Sequence, residues 1–125
     1  MVAYNFKQQF VPLIRSGSKK HTIRTIGKRR HARPGELVQL YCGQRTAHCF
    51  KILDGDPECV RTADFVLYSA PEGFVWQLDG VTLDEAQRTE LACNDGFQNA
   101  EQMFDFFRSR LPFEGMLIEW GTPGW

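Results

Sequence analysis

No Asp or Glu occurs among the first 35 residues of the chain, while nine Lys and Arg and two of the three His lie there. The nine are Lys7, Arg15, Lys19, Lys20, Arg24, Lys28, Arg29, Arg30 and Arg33. From Glu36 onward come fifteen acidic and six basic side chains, so a formal net charge of zero conceals segments of +9 and −9. A one-signed segment of this density repels itself unless something anionic lies against it, and phosphate is the commonest biological candidate. A second copy, basic face to acidic face, is another way to neutralise it.

At 125 residues the chain fits one domain, residues 1–125, able to bury roughly two thirds of its unfolded surface around a single core. Ten Phe and three Trp are enough to fill that core, and no apolar run approaches the roughly 20 residues that cross a bilayer. The N-terminus has neither signal architecture nor a lipidation motif, which points to the cytoplasm with no membrane partner. The four cysteines form no paired C-x-x-C knuckle. Cys42, His48, Cys49 and Cys59 fail as a zinc set because adjacent strand residues face opposite ways, so reduced, buried thiols and no metal or cofactor are expected.

Turn residues punctuate the chain into short elements. Residues 4–7 read as a strand, and residues 8–16 as a helix carrying Phe10, Leu13 and Ile14 on one face and stopped by a left-handed cap at Gly17. Residues 21–25 restart as a β-branched strand. A basic loop over 27–35 closes on Pro34-Gly35 and delivers the chain into a strand over 37–42. Gly43-Gln44 predicts a tight connection to a strand over 46–53, and further strands follow at 59–68, 73–78 and 113–120, the last buried on both sides. One helix opens near 82–85 and runs toward Cys93. Another starts at a capping box formed by Asn99 and Gln102. Hairpin-joined strands with three short helices indicate an α+β domain with a small curved sheet or barrel, and parallel βαβ winding is disfavoured. No Walker loop or G-x-G-x-x-G occurs, which leaves nucleoside triphosphate and dinucleotide chemistry without support.

Four segments together resemble the ASCH family, a branch of the PUA-like barrels. The first is Gln8-Gln9-Phe10-Val11-Pro12-Leu13-Ile14-Arg15-Ser16-Gly17-Ser18-Lys19-Lys20-His21-Thr22-Ile23-Arg24. The others are residues 33–41 with Asp95-Gly96-Phe97, and the closing residues 113–120. The resemblance implies a PUA-like small mixed β-barrel with flanking short helices and a cleft similar to an RNA-binding groove. It also implies activities: some members hydrolyse the acetyl amide of N4-acetylcytidine, and one branch is ribonuclease-like. The amidohydrolase branch has a Gly-x-Lys-x-x-Thr-Ile-Arg segment, matched here by Gly17, Lys19, Thr22, Ile23 and Arg24. Asp95 falls where that branch has a Glu, one methylene longer.

Those residues suggest a chemistry. Desolvation and like charge from Lys20, His21 and Arg24 would lower the pKa of Lys19, letting it take a proton from Thr22 or from a water held by it. Asp95 would shuttle a proton to the leaving amine, and Arg24, on the strand face of Thr22, would hold an oxyanion or phosphate. This requires Lys19 to lie in the turn after Gly17 rather than in the strand. The expected catalytic set is Lys19, Thr22 and Asp95, with Arg24, Lys20 and His21 binding substrate. Lys28, Arg29, Arg30 and Arg33 would bind RNA phosphates, and Tyr41, Phe74 and Trp76 would offer stacking faces, whereas Trp120 and Trp125 would pack. The leading expectation is an RNA- or modified-nucleoside-binding domain that deacylates N4-acetylcytidine-type substrates, with no obligate protein partner. The alternatives are a non-catalytic RNA-binding module and, third, a metal-assisted ribonuclease using Asp54, Asp56 and Glu58.

Overall fold

Alternating burial builds the first sheet. In β1 (Val2–Phe6), Val2, Tyr4 and Phe6 face inward, and in β3 (Val38–Cys42), Val38, Leu40 and Cys42 do the same. The two strands pair in parallel, Val2 opposite Val38 through Phe6 opposite Cys42. This corrects the expectation of a sheet free of parallel winding. The crossover runs through a 3₁₀ turn (Gln8–Phe10), α1 (Val11–Ser16), β2 (His21–Thr25) and the basic loop. Local turn signals do not report so distant a pairing. The strand expected over 46–53 shrinks to β4 (Phe50–Lys51), because Gly43 and Arg45 take positive φ and Thr46 Oγ1 donates to Gly43 O at 2.6 Å, closing a longer turn.

The second sheet is antiparallel, in the order β2, β8 (Phe113–Trp120), β5 (Cys59–Ala70), β6 (Gly73–Leu78) and β7 (Val81–Thr82). Leu117 and Ile118 are adjacent in β8 and both fully buried, as a strand covered on two faces requires. Phe65 and Leu67 of β5 pack in the same core with Met103 and Phe107 of α3 (Ala100–Phe107). Asn99 caps α3, accepting from Gln102 N at 2.8 Å, but Gln102 Oε1 takes the N–H of Gln98 rather than that of Asn99. The reciprocal capping box sits instead on α2 (Glu85–Asn94), between Asp84 and Gln87.

The chain is therefore a mixed α+β domain of two sheets and three short helices, described by a computed structural model over residues 1–121; Trp125 lies outside the described residues. The expected barrel does not close by hydrogen bonding. The sheets meet at one corner, through the Leu37–Glu58 bridge, while β1 and β2 share no ladder. Between them the Arg24 side chain substitutes for strand pairing, its Nη2 donating to Asn5 O at 2.7 Å. That unpaired seam is where the cleft opens. Among the described residues no helix is long and apolar enough to cross a membrane.

Candidate functional site

Gly17 ends α1 with φ 86°, a left-handed cap that glycine adopts without steric cost, and its N–H donates to Ile14 O. The turn that follows is pinned at both ends. Lys19 N donates to Leu13 O at 3.0 Å and Lys20 N to Asn94 O at 2.9 Å, so the chain passes between α1 and the end of α2 before β2 begins at His21. Lys19 thus occupies the turn, as its expected chemistry requires, and it is only 2% exposed. Its ammonium lies 4.8 Å from the centroid of the Phe10 ring and 5.6 Å from that of Phe6. Aromatic faces attract a cation that has lost its water.

Asp95 terminates α2, and Lys19 Nζ bonds it twice, donating to its backbone carbonyl and, at 3.1 Å, to Oδ1. A cation on the last carbonyls of a helix also favours the helix dipole. His21 Nδ1 lies 2.9 Å from the same Oδ1, so its proton sits on Nδ1 and is donated to the carboxylate. Asp95 Oδ2 accepts no hydrogen bond among the described residues. Since no buried side-chain nitrogen or oxygen there lacks a partner, Oδ2 is not fully enclosed, and Asp95 lines the cleft. Gly96 makes this approach achievable: at φ 98°, a Cβ would stand 3.0 Å from the Phe10 ring and 3.2 Å from Lys19 Cδ.

Across the cleft, Arg24 Nε donates to Thr22 Oγ1 at 2.9 Å, which leaves the Thr22 hydroxyl proton free. The Arg24 guanidinium stacks 4.8 Å from the Phe6 ring centroid, and Nη1 makes no bond among the described residues. Lys19, Thr22, Arg24 and Asp95 line one cavity of about 270 Å³. Lys19 Nζ and Thr22 Oγ1 are not hydrogen-bonded to each other. A proton transfer between them would need a bound water or a contact that tightens when a ligand binds, as is common in unliganded sites.

Burial lowers the pKa of Lys19 from the ordinary lysine value; the Asp95 charge and hydrogen bond oppose this without cancelling it, and Arg24 adds to the lowering. Burial likewise lowers that of Arg24, opposed by Tyr4 and Asp95. Of the like-charged neighbours expected to act on Lys19, only Arg24 does so.

The other expected residues are distributed more widely. Lys20 is exposed and does not line the cleft, and His21 stands behind Asp95, facing a separate cavity beside α2. Strand alternation explains this, since His21 and Ile23 take the face opposite Thr22 and Arg24. Lys28, Arg29 and Arg30 line a second concavity of about 350 Å³ that shares Asn5, Arg24 and Thr25 with the cleft. Arg30 is already committed there, clamping Glu36 through both terminal nitrogens, and this pair holds the Glu36 carboxyl well below the usual carboxylate range. Arg33 is exposed outside both cavities.

None of Tyr41, Phe74 and Trp76 lines the cleft: Trp76 is buried against Phe65, and Phe74 packs on Phe104 with centroids 4.2 Å apart. Trp120 is buried edge-on to Phe6. Cys42 and Cys59 are buried, but Cys49 and Cys93 are exposed, so burial holds for only half of the thiols. Asp56 accepts two bonds from Lys51 Nζ, at 3.0 and 3.3 Å, and among the described residues no three His, Cys, Asp or Glu group together as metal ligands. Residues unforeseen from sequence complete the cleft, above all Lys7, Phe106 and Arg110. Lys7 and Arg110 lie at opposite ends of the chain, and no local motif joins them. Comparison of the chain with protein-family models, with curated proteins and with solved structures returns no match.

Proposed function

We propose that the chain is an ASCH-type, PUA-like domain whose cleft binds a modified nucleoside and hydrolyses the amide of an N4-acylated cytidine. The observation that carries this reading is the buried Lys19–Asp95 pair, backed by His21, set in the same cavity as the Thr22–Arg24 pair. Burial disfavours the charged form of Lys19 and so makes it a better base than an exposed lysine, and perturbed groups in a cleft are functional candidates on physical grounds.

In the proposed reaction neutral Lys19 takes the proton of Thr22, or of a water held by it. The oxygen adds to the acyl carbon, and the oxyanion falls to Arg24 Nη1, the guanidinium nitrogen with no bond among the described residues. The C–N bond then breaks as the amine takes up the proton, delivered from Lys19 by way of Asp95; where the attacking oxygen is that of Thr22, a water deprotonated by Lys19 then cleaves the acyl ester, releasing the acid and returning the proton to Thr22. His21 keeps Oδ1 oriented and leaves Oδ2 for the ligand. The four free thiols fit a reducing, cytoplasmic setting.

The test is an ultraviolet progress curve with N4-acetylcytidine for the parent, Lys19→Met and Thr22→Val, each first shown to be folded by circular dichroism. Turnover by the parent and its loss in both variants supports the assignment. Inertness of the parent removes this substrate, and activity retained by Lys19→Met removes the base.

One observation favours a second reading, a non-catalytic RNA-binding module. The concavity lined by Lys28 and Arg29 adjoins the cleft at Arg24, and neither side chain has a carboxylate partner among the described residues. RNA uptake with a steep salt dependence and no turnover would select it.

A further inference from the structure

The mouth of the cleft has a charge balance that the hydrolytic chemistry leaves unused. Lys7, Lys19, Arg24 and Arg110 line the cavity with a single carboxylate, Asp95, which is already engaged by Lys19 and His21. Neither Lys7 nor Arg110 has a carboxylate partner among the described residues. Both are held instead against one aromatic ring: the Lys7 ammonium lies 5.4 Å and the Arg110 guanidinium 5.1 Å from the centroid of Phe106, which is itself 40% exposed. Arg110 also stacks on Phe107 and Phe113, at 5.0 and 5.3 Å. Cation–π contact orients a cation but does not neutralise it, so both positive charges remain available to an anion.

We infer that Lys7 and Arg110 form a phosphate subsite and that the ligand of the cleft is a phosphorylated nucleoside, not a free one. The inference rests on the nucleoside reading above and adds to it what the sugar carries. The base and its acyl group reach inward to Lys19, Thr22 and Asp95, while the phosphate stays at the mouth, where water remains and the desolvation of a dianion is modest. Arg110 supplies a planar fork suited to phosphate oxygens and Lys7 a mobile point charge. The same chemistry has two sources, the monoester of a free nucleotide and a diester within RNA.

Isothermal titration calorimetry of the parent with cytidine, cytidine 5′-monophosphate and a cytidine-containing trinucleotide, at low and moderate salt, distinguishes them. The expected result is nucleotide binding on the order of tenfold tighter than nucleoside binding, a preference that shrinks with salt and collapses in Lys7→Gln and Arg110→Gln. Tighter binding of the monophosphate than of the trinucleotide identifies a free nucleotide, and the reverse order identifies RNA. Equal affinity for cytidine and its monophosphate, or a preference that survives both substitutions, overturns the subsite. Inorganic phosphate separates the two levels of inference when no cytidine compound binds. Chemical-shift changes at Lys7 and Arg110 on adding phosphate would retain an anion site while discarding the nucleoside, and their absence would discard both.

Discussion

Replacing Lys19 with Met keeps most of the side-chain volume between Phe6 and Phe10 but removes the charge, so it isolates the electrostatic part of the site. The Lys19 and Asp95 side chains are 3% and 7% exposed. Without the ammonium, the carboxylate stays buried with His21 as its one remaining side-chain partner. Removing one member of a buried pair costs about 3–5 kcal/mol, because the other charge is left uncompensated. With a urea dependence of about 2 kcal/mol per molar for a domain of this size, the midpoint should fall by about 2 M. Adding Asp95→Asn to Lys19→Met should recover much of the loss, and the double-mutant cycle measures the coupling.

The sign with pH is also determined. Because burial lowers the Lys19 pKa from 10.5, the native state releases its proton before the unfolded chain does. Parent stability should therefore gain from this group as pH rises from its folded pKa toward 10.5, a gain absent in Lys19→Met. A loss below about 1 kcal/mol would refute the reasoning, since that is the value of an exposed pair. So would identical pH profiles of the two proteins.

Gly96→Ala forces an L-residue into φ 98° and drives a methyl toward Phe10 and Lys19 Cδ, so it should cost about 1–3 kcal/mol in urea unfolding and lower turnover by displacing the base. Thr22→Ser should keep hydrolysis, whereas Thr22→Val, which leaves Arg24 Nε without its acceptor, should abolish it; equal rates would exclude the hydroxyl as nucleophile or water holder. His21→Phe removes the Nδ1–H donated to Asp95 and should lower kcat more than KM, at a stability cost of about 1–3 kcal/mol seen by thermal melting. An unchanged kcat would reduce His21 to a packing residue.

What could be read in the sequence was local. The Gly17 cap, the turn that holds Lys19, and the two-residue period that aligns Thr22 with Arg24 follow from neighbouring residues, and the structure brings Lys19, Thr22 and Arg24 to the cleft along with Asp95. What could not be read was non-local. Nothing in residues 2–6 or 38–42 announces that they pair in parallel, and nothing near Lys7 points to Arg110. His21 is an intermediate case. It was visible as a polar residue in the right segment, yet its place behind Asp95 depends on where α2 ends, which the strand period does not encode.

The charge asymmetry of the chain bears on whether the buried lysine is a base or merely a clamp. Of the nine cations in the first 35 residues, only Lys19 and Arg30 meet a carboxylate among the described residues, so folding leaves most of the positive segment unneutralised. If Lys19 served only to close the end of α2, burial would be a cost without return, since an exposed lysine caps a helix terminus as well and keeps its hydration. Burial becomes useful when a ligand must find a neutral amine beside unpaired cations. Lys19 spends two donors on Asp95, and its charged form is disfavoured in the same cavity that Arg24, Lys7 and Arg110 line with positive charge, where the proposed anion would bind. Affinity for phosphate should therefore persist in Lys19→Met, while turnover should not. A variant that lost both in parallel would show that the lysine holds the cleft together and contributes nothing to its chemistry.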